Sequence, residues 1–216
     1  GELKTLDLSL NEVLNSRCPL CRRAILFNNA GSTGELMPVA DLTSLALLKV
    51  AIDFNVTSSL WLTSRFVKHF RSCRGNTNRT QVIVINTSSG MALRPFKTCS
   101  IYCAAKAARK IFHEALALEC LENYKDVQVV NYHPGVCDTD MQRFARESKT
   151  IDRSINESFQ QMKEGNKLVT PEASANELVK IVFEKEILSG AHYEYYEDVS
   201  SGDQRRCRDM EYDKGF

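Results

Sequence analysis

The stretch Gln81-Val-Ile-Val-Ile-Asn-Thr-Ser-Ser-Gly90 decides the fold: four consecutive β-branched apolar residues run into a short polar turn. Such a run predicts a strand covered on both faces, as in a parallel sheet. Similar runs begin at Arg23 and Val127, and apolar residues recur at helical spacing over 41–72 and 100–121. Strands and helices therefore alternate, which predicts a three-layer α/β domain with helices on both faces of the sheet.

The C-terminal part of the chain continues this alternation. Residues 141–165 are polar and compatible with helix, and Thr170-Pro171 predicts the start of another helix, because threonine caps helices and proline fits their first turn. The run 192–196 is expected to be a last strand. We therefore predict one domain over 1–197, followed by a polar tail over 198–216.

Composition and charge argue against several classes of protein. The 28 lysines and arginines nearly balance 27 aspartates and glutamates, and a net charge of +1 does not suit a nucleic-acid partner. No run approaches the roughly 18 apolar residues of a membrane helix, and the N-terminus does not resemble a secretory signal, so we expect a cytoplasmic protein without a membrane partner. Cys18-Pro-Leu-Cys21 has metal-site spacing, but no second Cys/His pair completes the set, and we predict no metal site.

Tyr102 and Lys106 carry the clearest chemical signal. The two residues are four apart in the predicted helix 100–121, so their side chains project from one face. A nearby ammonium favours the phenolate and lowers the pKa of the tyrosine, which suits proton exchange with a substrate oxygen. The same spacing is common in exposed helices, so the pair by itself leaves both interpretations open.

Five elements in chain order give this pair its context: Asn28-Asn29-Ala30-Gly31, Asn55, Ser89, Tyr102 with Lys106, and Pro134-Gly135. The set resembles the short-chain dehydrogenase/reductase family, whose fold is a Rossmann-like, doubly wound parallel sheet. The resemblance implies that Tyr102 donates a proton while Lys106 lowers its pKa and binds ribose hydroxyls. It further implies that Ser89 polarises the substrate carbonyl and that Asn55 holds a water molecule in a proton relay.

The resemblance also implies the cofactor NADPH and a set of residues that contact it. The expected contacts are Asp7, Leu8, Asn28, Asn29, Ala30, Gly31, Tyr102, Lys106, Pro134, Gly135 and Thr139. Of these, Asp7 and Leu8 would meet the adenine ring, and Thr139 would meet the nicotinamide carboxamide. The preference for NADPH over NADH rests on the resemblance alone.

Within the family, the chain is most similar to the branch that reduces side-chain carbonyls of pterins in tetrahydrobiopterin synthesis. The strings that carry this similarity include Asn131-Tyr-His-Pro-Gly-Val-Cys-Asp-Thr-Asp-Met-Gln142 and Ser189-Gly-Ala-His192. The substrate contacts that it implies are Ser89, Phe96, Tyr102, Met141 and Glu194. Glu194 stands where the branch has an aspartate that anchors the pterin, and Cys99 replaces an aromatic residue. A generic NADPH-dependent carbonyl reductase therefore stays open as the alternative function. For Glu194, the alternative is an outward-facing strand residue without a binding role.

The 216 residues contain no Thr-Gly-x-x-x-Gly-x-Gly loop, which holds the cofactor pyrophosphate in the family. We therefore expect the first two strands of the family sheet to be missing, with Ala24-Ile-Leu-Phe27 as an open edge. The chain would be a fragment of a complete reductase or an inactive truncated form that acts as a binding or oligomerisation module. The helices matching 41–74 and 100–121 commonly form oligomer interfaces in the family, so the resemblance implies a homodimer.

Overall fold

The computed structural model describes residue 12, residues 21–72 and residues 80–196. In the described part, four strands form one parallel sheet in chain order: β1 (Arg23–Asn28), β2 (Gln81–Thr87), β3 (Val127–His133) and β4 (His192–Glu194). The predicted parallel sheet is confirmed, with a last strand shorter than expected. The predictions on Asp7, Leu8, Cys18 and the tail 198–216 lie outside the described residues.

In the described ranges 21–72 and 80–196, six α-helices cover the sheet and the edge at the carboxyl ends of its strands: α1 (Leu45–Ile52), α2 (Ser58–Ser72), α3 (Ser100–Asn123), α4 (Asp140–Glu147), α5 (Arg153–Glu164) and α6 (Pro171–Phe183). A π-helical turn, Asp53–Thr57, separates α1 from α2, where the periodicity had predicted one helix. The start of α6 is as predicted, because the Thr170 hydroxyl accepts a hydrogen bond from the Ala173 N–H at 3.1 Å.

The two faces of the sheet bury separate cores, because successive residues of a strand point to opposite faces. On one face, Val84 packs with Phe66 of α2 and Ala117 of α3. On the other face, Ile85 packs with Ile181 of α6. Helices thus cover both faces, which confirms the predicted three-layer architecture.

A third cluster lies beyond the carboxyl ends of the strands. Leu36 from the loop after β1 and Cys99 at the start of α3 pack with Ala145 of α4. Ile151 and Phe159 join the same cluster from the region of α5. These residues close one side of a cavity that lies over the carboxyl ends of the sheet.

The helical stretch Leu45–Arg71 is long and apolar enough to cross a membrane, by length and composition alone. Its inner face is nevertheless part of the domain, because Phe66 and Val67 pack into the core of the sheet. Asn55 and Thr63 are also buried on this face. The stretch therefore forms one of the layers that cover the sheet, and its outer side exposes both apolar residues such as Leu45 and Val50 and charged ones such as Lys49.

Candidate active site

A cavity of about 880 Å³ opens at the carboxyl ends of the strands, within the size range of small-molecule sites. Loops that follow β1, β2 and β3 form part of its wall, together with residues of α3 and α6, because in a parallel α/β sheet these loops meet at one edge. The cavity wall holds most of the residues that the sequence predicted: Asn29, Ala30, Gly31, Ser89, Phe96, Cys99, Tyr102, Lys106, Pro134, Gly135, Thr139 and Met141.

Tyr102 and Ser89 come together in this wall. Burial raises the pKa of Tyr102 to about 12, although the charge of Arg109 and hydrogen bonding with the Ser89 side chain both lower it. The sequence led us to expect this lowering from Lys106, but Arg109 and Ser89 provide it, and burial outweighs both because a desolvated phenolate is costly. At neutral pH the phenol keeps its proton and can act as an acid.

Lys106 lies beside Tyr102, with its Nζ 5.4 Å from the centroid of the tyrosine ring. The side chain is 3% exposed, and its Nζ donates a hydrogen bond to the Thr87 carbonyl at 2.6 Å. Burial, and then the charge of Arg109, lowers the pKa of Lys106 to about 7. An ammonium has three donors, so Lys106 keeps hydrogen-bonding capacity for a ligand in the cavity.

Asn55 lies in the π-helical turn and is 1% exposed. Its Oδ1 accepts a hydrogen bond from the Ser32 N–H at 2.8 Å, and its Nδ2 donates to the carbonyls of Ser32 and Ala51 at 3.0 and 2.9 Å. The side chain thus fastens the loop after β1 to the turn between α1 and α2. Its role in a proton relay stays a prediction, because its polar atoms are engaged with the main chain.

Asn28 is buried at the end of β1 and does not line the cavity; its Nδ2 donates to the Thr63 hydroxyl at 2.6 Å. Arg109 lies beside it and is 0% exposed. Its guanidinium donates hydrogen bonds to the Asn28 carbonyl, to the Ala30 carbonyl at 2.9 Å and to Asn86 Oδ1 at 2.9 Å. Our sequence analysis missed Arg109. Its spacing of three and seven residues from Lys106 and Tyr102, on the same helix face, is the signal that could have identified it.

Pro134-Gly135 and Thr139 place the loop after β3 against the cavity. Gly135 has a φ of +78°, and a Cβ at this position would lie 2.9 Å from Val169 Cγ2, so the turn needs glycine. The Thr139 hydroxyl accepts a hydrogen bond from the Gln142 N–H at 3.3 Å and caps α4. Its expected contact with a carboxamide stays a prediction.

Glu194 is not among the described residues that line the cavity, whereas His133 is. The Glu194 Oε1 lies 3.7 Å from His133 Nδ1 and 3.8 Å from His192 Nε2. Burial lowers the pKa of both histidines, that of His192 to about 4. The predicted pterin anchor therefore sits in a cluster with two imidazoles to which the sequence had assigned no role.

The residues in the wall fit the nicotinamide and ribose part of a nicotinamide dinucleotide. The main chain of Ala30 and Gly31 lies in the wall, where small side chains allow a ligand to approach closely. Ser88 also lines the cavity, and its buried hydroxyl has no hydrogen-bond partner in the described part. Together with the remaining donors of Lys106, these groups can bind the hydroxyl and amide groups of such a cofactor.

Comparison with known proteins agrees with this geometry. A family model described as short chain dehydrogenase matches residues 22–150. Sepiapterin reductase from Bos taurus is 36% identical over 198 residues, which are 89% of this chain and 71% of the bovine protein. Sepiapterin reductase from Xenopus tropicalis is 34% identical over 177 residues, covering 82% of this chain and 64% of the frog protein. A short-chain dehydrogenase/reductase structure from Saccharomyces cerevisiae matches with a TM-score of 0.75 at 21% identity, covering 92% of this chain and 76% of the yeast chain.

Proposed function

Because the chain belongs to the short-chain dehydrogenase family, whose members bind nicotinamide cofactors, we propose that it is an NADPH-dependent reductase of pterin side-chain carbonyls. The observation that carries the proposal is the meeting of Tyr102, Ser89 and Lys106 in one cavity wall. The similarity to sepiapterin reductases over most of the chain supports the substrate class. NADPH, when bound, supplies the hydride that adds to the carbonyl carbon.

Different residues of the wall would bind different parts of the cofactor. Lys106 and the main chain of Asn29-Ala30-Gly31 would hold the ribose next to the nicotinamide. Pro134-Gly135 and Thr139 would hold the nicotinamide itself. These positions line the same cavity as Tyr102, so they would orient the reacting groups before any proton moves.

Tyr102 supplies the proton that completes the alcohol. The Ser89 hydroxyl donates a hydrogen bond to the substrate carbonyl oxygen and polarises it, and Tyr102 Oη gives its proton to that oxygen as negative charge develops there. The raised pKa of Tyr102 keeps this proton in place until then. The positive charge of Arg109, and that of Lys106 when it is protonated, would stabilise the tyrosinate that remains.

The pterin would be held by the outer part of the cavity. Phe96 and Met141 provide apolar surface in the wall, and Cys99 leaves more room there than an aromatic residue would. Glu194 would accept hydrogen bonds from the amino-pyrimidine ring as a charged acceptor. Because His133 occupies the adjacent part of the wall, the ring would have to reach the carboxylate past this imidazole.

Replacing Tyr102 tests the mechanism. In Tyr102→Phe of the complete enzyme, which includes the glycine-rich loop, the ring stays and the proton donor is lost, so we expect kcat for sepiapterin to fall by about 100-fold or more, measured as oxidation of NADPH. NADPH binding, followed by its fluorescence, should not change. The matched control Tyr124→Phe removes a hydroxyl that contacts Arg71 away from the cavity and should keep wild-type turnover.

Two outcomes would contradict this proposal in different ways. Turnover of Tyr102→Phe near that of the wild type would exclude Tyr102 as the acid. Simple diketones reduced well ahead of sepiapterin would instead make the protein a general carbonyl reductase. Comparing NADPH with NADH in the same assay tests the cofactor preference.

The proposed enzyme is a homodimer. The outer face of α1 exposes Leu45, Leu47 and Val50 at 83%, 53% and 64%, and Ile111 of α3 is 63% exposed. Apolar patches of this kind mark interaction surfaces. We expect light scattering to give twice the mass of the chain and Val50→Glu to give the monomer mass. A monomeric wild type at micromolar concentration would contradict the dimer.

We also place the protein in the cytoplasm. The five cysteines that the structure describes are all free, at positions 21, 99, 103, 120 and 137. Free thiols persist in reducing compartments, whereas oxidising ones favour disulfides. The thiols of Cys99 and Cys120 are also buried and therefore protected.

A further inference from the structure

Three side chains able to bind a metal ion meet beside the cavity: the ligand atoms of His133, His192 and Glu194 all lie within 4.8 Å of one another. His133 is opposite Glu194 in the register of β3 and β4, and His192 comes two residues before Glu194. Side chains two apart on a strand share a face, so the strand pairing itself assembles the cluster. We propose that these three residues form a binding site for Zn²⁺ or a similar divalent transition-metal ion.

The two imidazoles lack the hydrogen bonds that buried rings ordinarily make. Both ring nitrogens of His192 and the Nδ1 of His133 are buried without a hydrogen-bond partner in the described part of the chain. Buried polar atoms are paired in the large majority of cases, and an exception calls for an explanation. A bound cation would satisfy one nitrogen of each ring at the same time.

The distances are close to those that a tetrahedral ion needs. With zinc–nitrogen and zinc–oxygen distances near 2.1 Å, two ligand atoms of a tetrahedral site lie about 3.4 Å apart. The Glu194 Oε1 is already 3.7 Å from His133 Nδ1 and 3.8 Å from His192 Nε2. All three ligand atoms lie within 4.8 Å of one another, so small side-chain rotations that bring both imidazoles and the carboxylate closer together would close the site.

The donor set selects the class of ion. Two imidazoles and one carboxylate are the protein ligands of many catalytic zinc sites, which leave a fourth position open, whereas Ca²⁺ and Mg²⁺ prefer oxygen ligands alone. Besides burial, the charges of Lys106 and Arg94 lower the pKa of His133, and the charge of Lys110 lowers that of His192. Lys110 is paired with Glu114 at 2.5 Å. With three ligands and these positive charges nearby, we expect micromolar affinity rather than the tighter binding of structural sites.

The position of His133 in the cavity wall gives metal binding a consequence for activity. An ion held by Glu194 takes this carboxylate away from any other partner. If the pterin is anchored there, zinc will inhibit the reductase in competition with the pterin. This consequence rests on the proposed function, but the binding of the metal does not.

Metal titration of the complete chain tests the site without any assay of activity. The protein is stripped with a chelator and titrated with Zn²⁺ by calorimetry, and separately with Co²⁺ by visible absorption. To remove competing thiolates, Cys18→Ser with Cys21→Ser serves as the background. We expect one ion per chain, and a Co²⁺ spectrum typical of four- or five-coordinate nitrogen and oxygen ligation without a thiolate charge-transfer band.

Two variants and a control decide the outcome. His192→Leu and Glu194→Gln should each weaken Zn²⁺ binding by at least about 10-fold, and Glu194→Gln keeps the shape of the side chain if the leucine variant fails to fold. His69→Leu removes a histidine from α2, outside the cluster, and should leave the affinity unchanged. Binding that persists in both cluster variants, or no binding to the background chain below about 100 µM Zn²⁺, would overturn the proposal. If Zn²⁺ binds at this site but does not inhibit the reductase, the result would count against Glu194 as the pterin anchor and not against the metal site.

Discussion

Two groups of buried polar side chains lie over the same end of the sheet and differ in their partners. Around Arg109, the guanidinium donates to the carbonyls of Asn28 and Ala30 and to Asn86 Oδ1, and His113 is hydrogen-bonded through both ring nitrogens. Around His192, neither ring nitrogen has a hydrogen-bond partner in the described part of the chain. The first group is completed by the protein itself, and the second has capacity left for a ligand.

The difference separates a structural role from a binding role. A buried polar group with all its partners fixes the conformation around it, whereas one without partners costs free energy until something binds. Arg109 therefore acts as a positioning residue for the loop after β1, which lies in the cavity wall. The His192 group is where an ion can recover the free energy that burial costs.

Removing Arg109 should have the largest effect on stability. Arg109→Met keeps much of the volume but leaves the acceptors of Asn28, Ala30 and Asn86 without their donor. Since each buried unpaired acceptor costs about 1–3 kcal/mol, we expect the free energy of unfolding in urea to fall by about 3 kcal/mol or more. NADPH affinity should fall as well, because the loop loses its support.

An exposed arginine provides the control for this prediction. Arg153 is 91% exposed on α5 and pairs with Glu157, so Arg153→Met makes the same truncation outside the buried network. Its urea midpoint should match that of the wild type, as expected of a surface ion pair. If the two variants lose similar stability, the Arg109 network does not have the structural role assigned to it.

His113 should have a smaller effect that depends on pH. Burial lowers the pKa of His113 to about 4, below the value near 6.5 of the unfolded chain, so the unfolded state binds more protons below pH 6.5. The stability that this group contributes is fully present above pH 6.5 and is lost as the pH falls toward 4. Between pH 7 and pH 5 the loss is about 2 kcal/mol, which His113→Leu should remove from the pH profile.

The same substitution at His192 sharpens the contrast at pH 7.5. His113→Leu breaks hydrogen bonds to Asn28, Thr63 and the Arg109 carbonyl, so it should lower the free energy of unfolding by about 2 kcal/mol. His192→Leu breaks none of the described hydrogen bonds and removes two buried unpaired nitrogens, so it should raise the free energy of unfolding by about 1 kcal/mol in metal-free buffer. Equal losses in the two variants would mean that the His192 ring has partners after all.

Local patterns in the sequence predicted most of the fold. The four β-branched residues after Gln81 gave a strand buried on both faces, and the cap at Thr170 gave the start of α6. Periodicity did not locate the π-helical turn at Asp53–Thr57, because apolar residues continue at helical spacing through this turn. The polar segment 141–165 likewise contains two helices, α4 and α5, whose separation depends on packing around Ile151.

The sequence likewise predicted only part of the candidate site. Tyr102 and Lys106 are related by helix geometry, so their spacing alone placed them on one face and in one cavity wall. Arg109 is also on that helix, but its acceptors on β1, on β2 and in the loop after β1 are visible only once the chain is folded. Burial raises the pKa of Tyr102, where the sequence led us to expect a fall, and the depth of burial cannot be obtained from the spacing of residues.

The sequence by itself determined the alternation of strands and helices and the position of the reactive residues at strand ends, because both follow from periods of a few residues. Tertiary structure alone decided which buried polar groups have partners. His133 and His192 are far apart in the chain and meet through the register of β3 and β4, while Arg109 finds its three acceptors across β1 and β2. Hydrogen bonding and metal binding depend on distances of a few ångströms, and only the packed sheet fixes such distances between residues remote in sequence.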